Sequence, residues 1–138
     1  MASIFIVDDN DSVRTTLSIL LKGAGHQVSL AESGEEAIER LGKEAFDLVI
    51  TDLKMRKIDG LGVVKAARAC IPAAEVIVIT AYGSIETAVQ AMKLGACDFI
   101  IKSFDAEEFL LVANRALEKR ALLSEVKHLR KAMKSRYC

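Results

Sequence analysis

Leu48-Val49-Ile50-Thr51 runs directly into Asp52, so four uncharged residues, three of them β-branched, end on a carboxylate. A continuous apolar run of this kind, without alternation, is the pattern of a strand buried on both faces of a parallel sheet. Four further runs resemble it: Ile4–Val7, Val28–Leu30, Val76–Thr80 and Phe99–Ile101. Between them lie amphipathic stretches of helical period.

Each stretch has its own punctuation. Val13, Leu17, Leu20 and Leu21 share one helical face, with Asp11 placed to cap and Gly23 or Gly25 to stop. Ser33 and Glu36 form a capping box ahead of Ala37, Ile38 and Leu41. Leu61, Val64 and Ala67 follow, closed off by Pro72, and Ile85, Ala88, Val89 and Met92 run from Ser84 to Gly95. Asp105 with Glu108 opens a final helix carrying Phe109, Val112, Ala113 and Ala116. Five βα units in series imply an α/β fold with a doubly wound parallel sheet and helices on both faces.

In such sheets ligands sit beyond the carboxyl ends of the strands. That edge receives Asp8 and Asp9 after the first run, Asp52 after the third, Thr80 at the end of the fourth and Lys102 after the fifth. Taken singly these are ordinary residues. An Asp-Asp pair commonly caps a turn, a threonine commonly ends a strand, and a lysine is commonly solvated. Their convergence on one edge is what carries chemistry. Three clustered carboxylates repel one another and call for a cation. All-oxygen ligands favour Mg²⁺, which takes one or two carboxylates directly and keeps several waters. Beside it, Asp52 is a carboxylate nucleophile able to form an aspartyl phosphate. Lys102 can bind a phosphoryl oxygen and the Thr80 hydroxyl can donate to another. No G-x-G-x-x-G or P-loop pattern offers another phosphate cradle.

Composition narrows the class. The 138 residues suit one compact domain with an appendage, and 51% of them are hydrophobic, enough for a core. The 19 basic and 19 acidic residues balance, so there is no electrostatic footprint for nucleic acid. No apolar run approaches a membrane span and the N-terminus lacks the pattern of a signal peptide. Cys70, Cys97 and Cys138 have no metal-ligand spacing and read as reduced thiols of a cytoplasmic protein. His26 and His128 lack triad or metal partners by spacing and read as surface residues.

Val7–Asn10 (VDDN), Thr51–Met55 (TDLKM) with Asp59-Gly60, Thr80–Ser84 (TAYGS) and Phe99–Phe104 (FIIKSF) together resemble the receiver domain of two-component response regulators over roughly the first 120 positions. The resemblance implies a flavodoxin-like, five-stranded sheet of order 2-1-3-4-5 flanked by five helices, and a phosphoryl group passed from a sensor histidine kinase to Asp52. It implies direct Mg²⁺ ligation by Asp9 and Asp52, a further ligand in the backbone carbonyl of Lys54, and Asp8 acting through water. Thr80 and Phe99 look like its switch pair, the hydroxyl moving toward the phosphoryl group and the ring turning inward behind it. Lys102 matches the family's phosphate-binding lysine, and Lys54 and Tyr82 stand at positions that tune loss of the phosphoryl group. Thr80–Phe104 is especially similar to receivers of sigma-54-dependent activators of nitrogen and dicarboxylate regulation, in which an ATPase and a DNA-binding domain follow. A stand-alone receiver acting by protein contact is the alternative. Arg56 and Ser103 stand where the family usually has proline. The bond after the lysine is typically cis in the family, whereas Lys102-Ser103 favours trans, so the departure bears on the geometry of Lys102.

Two other classes compete. A phosphatase using Asp52 would want a general acid two residues on, where Lys54 stands. A phosphate-independent pseudo-receiver would not need Asp8, Asp9, Asp52, Thr80 and Lys102, and all are present.

From Asp105 to about Lys134 there is neither glycine nor proline, so one extended helix is expected. The receiver domain is read as 1–120 and the segment 121–138 as a helical linker. There Leu122, Val126, Leu129 and Met133 step by four, three and four, a coiled-coil seam suited to a homodimer. Glu125 and Arg130 flank it for an ion pair between chains. The late basic residues Arg130, Lys131, Lys134 and Arg136 read as a solvated face, with no direct nucleic-acid contact expected.

Overall fold

The computed structural model describes residues 2–55, 59–70, 73–80, 85–102 and 105–131, with side chains of the last helix described as far as Ala121. Strands and helices alternate: β1 (Ser3–Val7), α1 (Asp11–Gly23), β2 (Gln27–Ala31), α2 (Gly34–Leu41), β3 (Leu48–Asp52), α3 (Gly60–Ala69), β4 (Glu75–Thr80), α4 (Ile85–Lys93), β5 (Asp98–Ile101) and α5 (Ala106–Lys131). The five strands form one parallel sheet of order β2-β1-β3-β4-β5. Every residue of β3 and β4 is buried, as their unbroken apolar runs require.

Strand alternation sorts the core by side-chain size. Ile4, Ile6, Leu48, Ile50, Ile77, Ile79 and Ile100 point to the face covered by α1 and α5, where they meet Leu17, Leu21, Phe109 and Val112. Phe5, Val7, Val49, Val76 and Val78 point to the face covered by α2, α3 and α4, and meet Ala37, Leu41, Val63, Val64 and Ala67. Phe5 apart, the bulkier strand residues thus sit under two helices and the smaller ones under three, whose inward residues are largely alanine and valine.

Several local expectations are adjusted. Asn10, not Asp11, caps α1 and accepts from the Val13 amide, which leaves Asp11 in the first helical turn. Gly23 ends that helix and Gly25 takes the left-handed turn at φ 93°. Ser33 Oγ accepts from the Glu36 amide as a capping box requires, but Glu36 reaches back to the amide of Glu32, one residue further out. On α4, Ala88 and Ala91 face the core, while Ile85, Val89 and Met92 are 47%, 46% and 39% exposed. The apolar residues cover too much of that helix to mark a unique inward face, and the two small alanines allow the closest approach. His26 is half-buried and its Nδ1 accepts from the Ala2 amide at 3.2 Å. Pro72, Ser84, Tyr82, Arg56, Ser103, Phe104 and Met133 lie outside the described residues, as does Cys138. Leu122, Val126 and Leu129 lie on the described helix α5, with their side chains outside the description.

α5 crosses the amino edge of the sheet, where an acid opens or immediately precedes each of three adjacent strands. Arg115 pairs with Asp98 at 3.4 Å, Lys119 with Glu75 at 3.5 Å and Arg120 with Asp47 at 3.9 Å. Glu75 is 1% exposed and is also held by Arg68 of α3 at 3.2 Å. Burial and the neighbouring Glu75 push the Cys97 thiol up to about 12, so it behaves as a small apolar side chain.

Loss of a partner from a buried ion pair costs more than loss of the pair. Arg68→Met leaves the Glu75 charge in the core with Lys119 as its remaining ion-pair partner among the described residues, and is expected to cost about 2–3 kcal/mol. Glu75→Met leaves two cations that reach water, and should cost less than about 1 kcal/mol. Urea unfolding of both variants checks the order, which a larger loss for Glu75→Met would reverse.

Candidate phosphoacceptor site

Register places the acids. Val7 of β1 pairs with Thr51 of β3, so the next residues, Asp8 just beyond β1 and Asp52 at the last position of β3, stand side by side. Asp8 is fully buried and Asp52 is 2% exposed, whereas Asp9, one step further into the turn, is exposed. Carboxylate oxygens of Asp8, Asp9 and Asp52 lie within 4.8 Å of one another.

Neighbouring main chain orients these groups. Asp52 Oδ1 accepts from the Lys54 amide at 3.2 Å, and Oδ2 from Lys102 Nζ at 3.0 Å. Asp8 Oδ1 accepts from the Asn10 amide at 2.9 Å, while Oδ2 is buried without a hydrogen-bond partner among the described residues. Thr80, buried, ends β4 beside this pocket, and its carbonyl accepts from the Lys102 amide at 2.9 Å. Phe99 pairs with Val78 across the β4–β5 ladder and packs, half-buried, on the valine-rich face.

α3 begins almost against the end of β3. A Cβ on Gly60 would lie 2.2 Å from the Asp52 carbonyl oxygen, so only glycine fits there. Asp59 caps the helix by accepting from the amides of Leu61 and Gly62.

Charge follows from this packing. Burial raises the Asp8 carboxyl from 3.8 to about 6; the Asn10 amide opposes it, Asp52 adds to it, and Lys102 and Asp9 act more weakly. Partial burial would lower Lys102, but its hydrogen bond to Asp52 and the charges of Asp52, Asp8 and Asp9 outweigh that and raise it. An orphaned buried oxygen, a carboxyl forced toward its neutral form and two adjacent carboxylates together fit a hard divalent cation such as Mg²⁺.

Thus Asp8, Asp9, Asp52 and Lys102 converge, with Thr80 and Phe99 on the flanking strands. The Lys54 side chain is exposed, and its backbone amide reaches the site by donating to Asp52 Oδ1. Two contributors escaped the sequence reading of the site. Asn10 was legible as a polar residue ahead of a helical face, and Gly60 as a glycine after an N-capping aspartate.

Residues 4–114 match the family described as the response regulator receiver domain. The transcriptional regulatory protein ZraR of Escherichia coli (strain K12) is 43% identical over 114 residues, which are 83% of this chain and 26% of that protein. The regulatory protein AtoC of the same strain is 37% identical over 130 residues, 94% of this chain and 28% of its own. The chain therefore spans about a quarter of the length of these curated relatives. Among solved structures, NtrX from Brucella abortus superposes with a TM-score of 0.86 at 36% identity, covering 93% of this chain and 30% of that one. A response regulator receiver domain protein from Clostridium thermocellum gives 0.83 at 30% identity, covering 89% and 99%.

A carboxyl raised on folding contributes stability below its unfolded value and loses it as pH rises through the folded one. With Asp8 moving from 3.8 to about 6, the loss is roughly 3 kcal/mol, complete above about pH 7. In chelator, Asp8→Asn should therefore be more stable than wild type by about that amount at pH 7.5 and equal to it below about pH 4. Thermal or urea unfolding across this range checks it, and a difference independent of pH would contradict it.

Proposed function

The chain belongs to the response regulator receiver family, and from that premise we propose that Asp52 accepts a phosphoryl group from a sensor histidine kinase. The observation that carries this assignment is the Asp52 carboxylate itself. It is 2% exposed, held at both oxygens, and set between a lysine ammonium and two further acids.

One Asp52 oxygen forms a bond to phosphorus as the bond from phosphorus to the donor breaks. Lys102 shifts from the Asp52 carboxylate to a phosphoryl oxygen, where its charge opposes the charge gained. The Thr80 hydroxyl donates to another. Asp9, Asp52 and the Lys54 carbonyl would hold Mg²⁺, with Asp8 behind them; when bound, the ion neutralises the acids and the phosphoryl oxygens. The domain is a phosphoacceptor that dephosphorylates slowly, not an enzyme turning over a small substrate.

Movement of Thr80 toward the phosphoryl group leaves room for the Phe99 ring and biases the surface of α4. Exposed Ile85, Val89 and Met92 on that helix support its role as an output face. Residues 1–120 act as the receiver and 121–138 as the helical linker, whose Leu122, Val126, Leu129 and Met133 seam pairs two chains. In the full-length setting the output is sigma-54-dependent transcription through an ATPase and a DNA-binding domain, in the cytoplasm. Among the described residues no helix is long and apolar enough to cross a membrane.

Intact mass after incubation with a small phosphodonor and Mg²⁺ should show one added phosphoryl group in wild type and none in Asp52→Asn, since an amide is not a competent nucleophile. An equal adduct in both would remove Asp52 from the role. Leu122→Asp with Leu129→Asp places like charges in the seam, and should give monomers that still take up phosphate. Light scattering with and without phosphodonor checks this; a double variant as dimeric as wild type would move the contact elsewhere.

A further inference from the structure

Arg14 is 7% exposed, although it carries a full charge one turn into α1. None of the chemistry described so far uses it. Its guanidinium donates from Nη1 to the backbone carbonyl of Asp8 and from Nη2 to the carboxylates of Asp11 and, at 3.5 Å, Glu32. One side chain thus joins the end of β1, the first turn of α1 and the residue after β2.

The carbonyl it holds belongs to Asp8, the fully buried member of the acidic cluster. The Asp8 amide donates to the Ala31 carbonyl at 3.2 Å, and its Oδ1 is taken by the Asn10 amide. Arg14 closes the set from the carbonyl side, and its own amide donates to the Asn10 carbonyl at 3.1 Å. Main chain and one carboxylate oxygen are all engaged, which leaves Oδ2, without a hydrogen-bond partner among the described residues, as the lone-pair donor of a residue with little room to turn.

Resting on the phosphoacceptor reading of this pocket, we propose that Arg14 is a positioning residue for its divalent-cation site. The guanidinium clamps the Asp8 peptide so that the carboxylate is set in place before a cation arrives. Partners that orient a ligand in this way affect metal affinity by about 10-fold to 100-fold when removed. The clamp needs the arginine fork, because one nitrogen serves the carbonyl while the other serves the acids. A lysine carries the charge but has one donor centre, on a different stem.

Charge alone makes the opposite forecast. Without the guanidinium, Asp11 and Glu32 are uncompensated, the region becomes more negative, and cation attraction rises. A purely electrostatic Arg14 therefore predicts tighter metal binding in Arg14→Met and unchanged binding in Arg14→Lys.

Calorimetric titration of the full chain with Mg²⁺ separates the two, with folding of each variant verified by its thermal midpoint in chelator. Arg14→Met and Arg14→Lys should both bind about 10-fold more weakly than wild type. Glu32→Gln, which keeps the carbonyl contact, should bind as wild type does. The rate of phosphorylation should follow the same split: the Mg²⁺ concentration for half-maximal rate rises about 10-fold in the Arg14 variants, while the rate at saturating Mg²⁺ stays within about twofold. Arg14→Lys carries the test on its own should Arg14→Met not fold. Wild-type affinity in Arg14→Lys, or tighter binding in Arg14→Met, would overturn the clamp. Wild type that binds no Mg²⁺ would instead overturn the reading of the pocket on which the clamp rests.

Discussion

Asp8 and Asp52 are pressed together and out of water by the pairing of β1 with β3. The two strands are interior to the sheet, so neither acid can move away without breaking the ladder that joins Val7 to Thr51. Placing like charges at this edge costs free energy, and the raised Asp8 carboxyl is where that cost is visible. Lys102, reaching in from beyond β5, offsets part of it through Asp52. The rest is the reason the site is receptive to a cation, which removes a repulsion that the fold holds in place.

A cost of roughly 3 kcal/mol is tolerable because the two faces of the sheet are well covered. Each fully buried Ile, Leu or Phe contributes about 1.5–3 kcal/mol, and the fully buried side chains include Ile4, Ile6, Ile50, Ile77, Ile79 and Phe109. The opposite edge of the sheet is organised by charges of both signs, with α5 laid across Asp47, Glu75 and Asp98. Function and anchorage are thereby separated. Unbalanced carboxylates gather where the chain is to respond, and balanced ion pairs gather where the long helix leaves the sheet.

The strands were legible because continuous apolar runs end on residues too polar to continue them. Leu48–Thr51 became Leu48–Asp52, and Val28–Leu30 became Gln27–Ala31. The pocket was legible for the same reason, since strand ends in a parallel sheet share one edge. Less was readable where side chains compete for one geometric role. Asn10 and Asp11 are both competent caps, and only the backbone turn selects Asn10. On α4, periodicity could not separate the alanines that pack from the larger residues that stay exposed. Arg14 and Glu75 were missed because a lone charge in an apolar stripe reads as an error in the pattern. Here each is buried against partners distant in sequence, Glu32 for one and Lys119 for the other.

The central claim is that the phosphoryl group is carried by the carboxylate at the end of β3 and by no other acid of the cluster. Borohydride reduction of the phosphorylated protein, followed by peptide fragmentation, converts an acyl phosphate into an alcohol and reports its position directly. Reduction is expected at Asp52 alone, and none in protein treated with phosphodonor in chelator. Reduction at Asp8 or Asp9, or a phosphoryl group that borohydride does not displace, would contradict it.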